Sequence, residues 1–176
     1  MGSARSNGNT RRAADRLLDE LGGSGTFVDL STTAIKPFAY GGAPDRDQFL
    51  SVVHQMLAHQ HIVFATPVYW YSMSGLMKTM FDRLTDLLTN EAYRPLGRSL
   101  AGRDVWVLAT GTDEQLPNGF EEPFVRTAAY FDMVWKDVFY VRSLKGAPPT
   151  ESQLQKSDAL SQALCESGRD VHSGDR

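Results

Sequence analysis

The stretch Ile62-Val63-Phe64-Ala65-Thr66-Pro67-Val68-Tyr69-Trp70-Tyr71-Ser72-Met73-Ser74-Gly75-Leu76 decides the fold. It opens with an apolar run of strand length, Ile62 to Thr66. It closes on a long amphipathic run that predicts a helix over 72–88, with Met73, Leu76, Met77, Met80, Phe81, Leu84, Leu87 and Leu88 on one broad face. Open α/β sheets bind ligands in the loop outside the carboxyl end of such a strand. Here that loop carries Pro67 for stiffness, aromatic rings for a flat ligand and serine at a helix start for anions. The combination suits an aromatic cofactor with an anionic tail.

Moving outward, strand and helix patterns alternate. A helix is predicted over 9–21, stopped by Gly22-Gly23, then a strand of mixed pattern over 26–30. A helix follows over 45–59, with Phe49, Val52, Val53, Met56 and Leu57 inward. Val105 to Thr110 is continuously apolar, as in a strand covered on both faces. Phe120, Phe124, Ala128 and Phe131 mark another helix, and Val138 to Val141 another strand. Thr150 and Gln153 fit a capping box opening a last helix, with a loose polar tail from about Gly168. Alternation of this kind predicts an α/β domain, a parallel sheet between helix layers spanning residues 1–176.

The amino terminus reads Gly2-Ser3-Ala4-Arg5-Ser6-Asn7-Gly8-Asn9-Thr10. Glycines let the backbone curl, the polar side chains offer hydrogen bonds, and the helix start offers unpaired N–H groups and a positive dipole end. Arg5 adds a fixed charge with a planar donor fork. These features suit one phosphate. They do not suit a triphosphate, because the Walker spacing is absent and Asn9 stands where its lysine would be; nor is there a G-x-G-x-x-G dinucleotide fingerprint. The same residues also fit an ordinary polar loop capping a helix.

Taken together, three blocks resemble the flavodoxin-like NAD(P)H-dependent FMN reductases. They are Gly2 to Thr10, then Ala65 to Trp70 with Ser72-Met73-Ser74-Gly75, then Lys78 with Phe81-Asp82-Arg83-Leu84, continuing through Thr110-Gly111-Thr112. The resemblance implies a doubly wound parallel sheet of order 2-1-3-4-5 and FMN as cofactor. It implies phosphate held by Ser3, Arg5, Asn7, Asn9 and Thr10, and the ring and its linker lined by Pro67, Val68, Tyr69, Trp70 and Met73. Thr110, Gly111 and Thr112 would close the other edge. The implied activity passes hydride from NADPH or NADH through FMN to a small acceptor such as a quinone or a flavin, with no catalytic side chain. It also implies a homodimer with the flavin near the interface. Either a second subunit or the connection over 89–102 would then cover the excess apolar face of the helix over 72–88.

One departure stands out. The family places an apolar strand before the phosphate loop, and here only Met1 precedes it. Loss of that central strand would leave two unpaired edges and a hole in the core. The expectation is that a short β-branched run precedes Met1.

Composition narrows the alternatives. A net charge of -3 argues against a nucleic-acid surface, and no apolar run approaches the ~20 residues of a membrane span. With Cys165 as the only cysteine there is no disulfide framework, and the expected compartment is the cytoplasm. The segment from Ile35 to Pro44, where some relatives bind an iron–sulfur cluster, holds no thiolate and reads as a connector or a lid. His54, His59, His61 and His172 form no metal pattern, no G-x-S-x-G elbow occurs, and Asp82-Arg83 reads as a structural ion pair or a helix-surface contact. Two other classes fit less well: an electron-carrier flavodoxin, which would be more acidic, and a flavin-free remnant of the fold acting only as a binding module.

Overall fold

The computed structural model describes residues 1–40, 47–144 and 147–173, with side chains up to 167. Three parallel strands, β1 (His61–Pro67), β2 (Asp104–Gly111) and β3 (Val134–Arg142), lie in the order β1-β2-β3. Phe64 sits beside Val107 and Pro67 beside Thr110, so both strands deliver their loops at one level. β2 is buried from Asp104 to Thr110, as its apolar run predicts for the middle of a covered sheet. β3 begins four residues before the predicted strand. It lies at the sheet edge, where Lys136 and Asp137 are tolerated and hide the apolar signal.

Helices α1 (Asn9–Glu20) and α7 (Glu151–Ser173) cover one face, where Ala14, Leu17, Leu108, Val141 and Leu160 form a core. Arg16 clamps them with two hydrogen bonds to Asp158, of 2.7 and 3.2 Å. Helices α2 (Phe49–Leu57), α3 (Gly75–Arg83) and α6 (Glu122–Tyr130) cover the other, around Phe49, Val53, Met77, Met80 and Phe124. Half of the predicted capping box forms, Thr150 N donating to Gln153 Oε1 at 2.8 Å. From there α7 runs on through Gly168 to Ser173, so the predicted loose tail is helical backbone up to that residue. Once a helix is nucleated, each further residue adds a bond at little cost.

The helix predicted over 72–88 is divided. Tyr69 and Ser72 pair across a tight turn and keep Ser72 out of the helix, and Ser74 caps α3 by accepting Met77 N at 3.2 Å. After Arg83 the bonds tighten to i→i+3, as in Leu87 N to Leu84 O, and α4 (Asp86–Thr89) follows. The connection over 89–102 contains α5 (Arg94–Arg98), whose Gly97 lies against Leu87; a β-carbon there would be 3.1 Å from Leu87 Cβ. The connection therefore covers Leu87, while Leu88 remains part exposed.

Asp82-Arg83 is not an ion pair. Asp82 meets Lys78, whereas Arg83 is 1 % exposed and bonds Asp47, Asp86 and the Lys36 carbonyl beneath the Phe49 ring. Lys36 is thereby pinned, Phe38 packs edge-on against Tyr40, and the end of the predicted connector, residues 41–44, lies outside the described residues.

The start of the chain pairs with its neighbours for one rung. Met1 N donates to Val28 O at 2.6 Å and Leu30 N to Met1 O at 2.9 Å, a parallel bridge. Gly2 N then donates to Ala65 O at 2.8 Å. Pro67 has no N–H to return, and the Gly2 carbonyl accepts the Ser74 hydroxyl instead. The predicted strand over 26–30 does not form a ladder: a strand needs a partner, and Met1 supplies a single rung. Beyond Met1 lies a cavity of about 440 Å³ between β1 and residues 24–28. Burial also holds the Met1 ammonium down at about 6, against the opposing pull of Asp29.

Among the described residues no helix is long and apolar enough to cross a membrane, and no cluster of His, Cys, Asp and Glu could hold a metal. His59 meets the Thr26 hydroxyl at 2.8 Å, and His61 lies 3.0 Å from Asp104, which also faces Lys136 at 3.3 Å. These contacts belong to the amino ends of the strands.

Candidate functional site

Three loops leave the carboxyl ends of the sheet and are bonded to one another. The first, residues 2–10, enters beside Ala65 and runs into α1. The second, residues 67–74, follows β1; the third, beginning at Gly111, follows β2. Thr10 Oγ1 and Thr110 Oγ1 lie 2.6 Å apart in a buried contact that joins the first loop to the third. Val68 N donates to Thr110 O at 2.7 Å, joining the second to the third. Ser74 joins the second to the first through Gly2. Its amide also donates to Thr66 Oγ1 at 3.1 Å.

Each proposed phosphate residue has a definite place. Ser3 is buried, and its hydroxyl receives Arg5 N at 3.3 Å. Arg5 and Asn7 are exposed, and among the described residues no hydrogen bond or ion pair occupies the Arg5 guanidinium. Asn9 donates to Ala147 O at 3.2 Å, and the Thr10 hydroxyl is taken up by Thr110. α1 begins after Gly8 with no side-chain cap and no acidic residue in its first turn. No residue of its own first turn therefore brings a carboxylate to its positive end, and Arg5 packs over Gly8, where a β-carbon would be 3.2 Å from Arg5 Cβ.

The second loop presents rings. Tyr69, Trp70 and Tyr71 are 42, 92 and 68 % exposed. Trp70 and Tyr71 have φ of 50° and 65°, left-handed backbone that suits glycine or asparagine and costs about 1–2 kcal/mol per ordinary residue. Pro67 is buried and Val68 half-buried beneath this turn. Met73 points into the core with Met77 and Met80. In the third loop Thr110 is buried, Gly111 half-buried and Thr112 exposed.

Sequence reasoning did not single out Ser74 as a tie, nor Tyr140. Tyr140 O–H donates to Asp113 O at 2.9 Å and fills the space beside Gly111, where a β-carbon would be 2.7 Å from the phenol oxygen. Burial pushes the Tyr140 phenol up, with Asp113 adding to the effect. Ser74 was detectable as a helix cap; nothing local marks Tyr140.

Residues 1–118 match the model of the family described as NADPH-dependent FMN reductase. The chain belongs to this family. Over 118 residues it is 30 % identical to a Bacillus subtilis protein named an NAD(P)H-dependent FMN-containing oxidoreductase, covering 64 % of each chain. Among solved structures, the Trp repressor binding protein of B. subtilis superposes with a TM-score of 0.70 at 22 % identity, over 92 % of both chains. The general stress protein 14 of Treponema denticola, solved with FMN, gives 0.60 at 17 % identity, over 94 % of this chain and 92 % of that one. These likenesses establish the flavodoxin-like α/β fold. Among the described residues the sheet has three parallel strands in the order β1-β2-β3.

The residues present fit the group that this family's description names. An uncapped helix end beside an unoccupied guanidinium suits a phosphate dianion, and a rigid turn with exposed rings suits a planar heterocycle.

Proposed function

We propose that this chain is an FMN-dependent NAD(P)H oxidoreductase that reduces a small acceptor such as a quinone or a free flavin. The observation that carries the proposal is the bonded trio of loops at the carboxyl edge of the sheet: Gly2–Ser74, Val68–Thr110 and Thr10–Thr110. It brings an anion-receptive helix end and a turn of exposed rings to one edge. When bound, FMN supplies the uptake and release of hydride. The protein's share is positional. Ser3, Arg5, Asn7, Asn9 and Thr10 with the first amides of α1 would hold the phosphate. Pro67, Val68, Tyr69 and Trp70 would flank the ring, with Met73 supporting them from the core, and Thr110, Gly111 and Thr112 would border the far edge. A homodimer that covers Trp70 and Tyr71 is part of the same proposal, supported by the exposure of those rings and checked by sedimentation.

The test is anaerobic mixing of the FMN-loaded protein with NADPH or NADH. Loss of the yellow colour at a rate that saturates with nicotinamide, and its repeated return on adding a quinone, is the expected result. Flavin that dithionite reduces but neither nicotinamide does would make the chain a carrier. The weak net charge of -3, which gives little field for docking a partner protein, favours the reductase.

A further inference from the structure

The third loop breaks the alternation of the strand that leads into it. In β2 successive carbonyls face opposite flanks: Val68 N donates to Thr110 O on the β1 side, and Ser143 N donates to Gly111 O at 2.7 Å on the β3 side. Alternation would return Thr112 O to the β1 side. Instead Arg142 Nε donates to Thr112 O at 3.4 Å, and the Tyr140 hydroxyl donates to Asp113 O at 2.9 Å. Three carbonyls in a row are therefore held by residues from the end of one strand. Tyr140 and Arg142 are two apart on β3, beside Ala109 and Gly111, and so share a face of it. The phenol reaches the loop only because residue 111 has no side chain.

The consequence falls on the opposite side of each peptide. In a trans peptide the N–H points away from the carbonyl that precedes it, and among the described residues no peptide bond is cis. The amides of Thr112, Asp113 and Glu114 accordingly turn away from Ser143, Arg142 and Tyr140. That of Thr112 points to the flank where the second loop leaves β1. Among the described residues none of the three donates a hydrogen bond. Three adjacent unpaired donors call for a ligand edge rich in acceptors. Asp113 and Glu114 bring carboxylates to the same exposed segment, which disfavours a phosphate there. A neutral edge of carbonyl oxygens and ring nitrogens suits it, such as the pyrimidine end of a flavin.

We propose that Tyr140 is a positioning residue for the flavin ring: its hydroxyl holds the Asp113 carbonyl, beside Arg142 on Thr112, so that the amides of Thr112, Asp113 and Glu114 are aimed as donors at the acceptor edge of the ring. This role rests on the reading of the chain as an FMN-dependent oxidoreductase. Burial, by pushing the phenol up, keeps the proton on the hydroxyl for donation at neutral pH.

The test is Tyr140→Phe, which keeps the ring beside Gly111 and removes only the hydroxyl. The urea midpoint of the flavin-free chain should move little, because water can replace the hydroxyl at this exposed carbonyl. FMN and riboflavin should weaken alike, by about three- to tenfold, since the ring rather than the phosphate is affected. The midpoint potential of the bound flavin should fall. The reduced ring carries more negative charge and loses more when its donors are misaimed; a further tenfold corresponds to about 30 mV for two electrons. In the wild type, FMN should slow hydrogen exchange at the three amides, and it should do so less in the variant. Unchanged affinity and potential would leave Tyr140 as a ring that fills space, and would overturn the proposal. So would a loss confined to FMN, or FMN that leaves exchange at the three wild-type amides as fast as in the free chain, a result that needs no variant. A wild-type chain that takes up neither flavin overturns the oxidoreductase reading and this one with it. That outcome is distinct from a wild type that binds beside a variant that behaves identically.

Discussion

At Gly2 the backbone passes so close to α3 that a β-carbon would lie 2.9 Å from both the Met77 nitrogen and its Cβ. Gly2→Ala therefore pushes the first loop off α3 and disturbs the Ser74 bond. The expected cost is about 1–3 kcal/mol, the range for overpacking, read from urea denaturation. An unchanged midpoint would mean that the loop shifts freely. Arg5 raises a different question, because it is exposed and contributes little to folding. Arg5→Ala should leave the urea midpoint in place yet weaken FMN tenfold or more, since a charge-assisted hydrogen bond contributes about 1.5–3 kcal/mol. Riboflavin, which lacks the phosphate, is the control; equal weakening of both ligands would remove Arg5 from the phosphate site. Legibility at this scale followed chemistry. Arg5 and the rings at 69–71 announce themselves by type. Ser74, Tyr140 and the Thr10–Thr110 contact act between groups distant in sequence, which no local pattern encodes.

Among the elements, α2 and α3 are locked together by one buried cation. Arg83 joins Asp47, just before α2, to Asp86, just after α3. Arg83→Met leaves two buried carboxylates without a counter-charge, and the expected loss is about 3–5 kcal/mol by chemical denaturation. Adding Asp47→Asn and Asp86→Asn should recover part of it, because no charge then remains buried. Asp47 also predicts an acid limit. Burial pushes its carboxyl up, but the bonds from Arg83, Lys36 N and Phe49 N outweigh this and hold it below the ordinary value of 3.8. A depressed acid stabilises the fold above its unfolded pKa, and that stabilisation is lost as pH falls through the folded value. Stability should accordingly decline below about pH 4, and the decline should be shallower in the Asp47→Asn variant. Uniform loss in both would place the acid sensitivity elsewhere. The sequence reading found β1 and β2 because their apolar runs are largely buried. It missed the first half of β3 because an edge strand tolerates Lys136 and Asp137. It merged α3 with α4 because an apolar face continues across a turn as readily as along a helix.

On the scale of the whole molecule, the loops that would enclose FMN belong to elements distant in the chain, tied by a few buried bonds. Thr10 and Thr110 form the tie that crosses from α1 to β2. Removing one hydroxyl leaves the other buried and unpaired, at a cost of about 1–3 kcal/mol, whereas replacing both by valine approaches neutrality. Thr10→Val, Thr110→Val and the double variant therefore form a cycle, and the double variant should be more stable than the sum of the singles implies. The same cycle reports on function. A ligand that binds only the folded chain adds RT ln(1 + [L]/Kd), about 2.7 kcal/mol at a hundredfold excess over Kd. For a chain of this size that corresponds to a rise in Tm of roughly 5–11 °C. If the three loops bind FMN as one unit, the wild-type chain should show that rise. The double variant, although nearly as stable without ligand, should show a smaller rise at the same FMN concentration, because Thr10 no longer offers a hydroxyl to the phosphate and the first and third loops are no longer fixed relative to each other. An equal rise in both would mean that the Thr10–Thr110 bond serves the fold alone, and that FMN is held by loops that need no coupling.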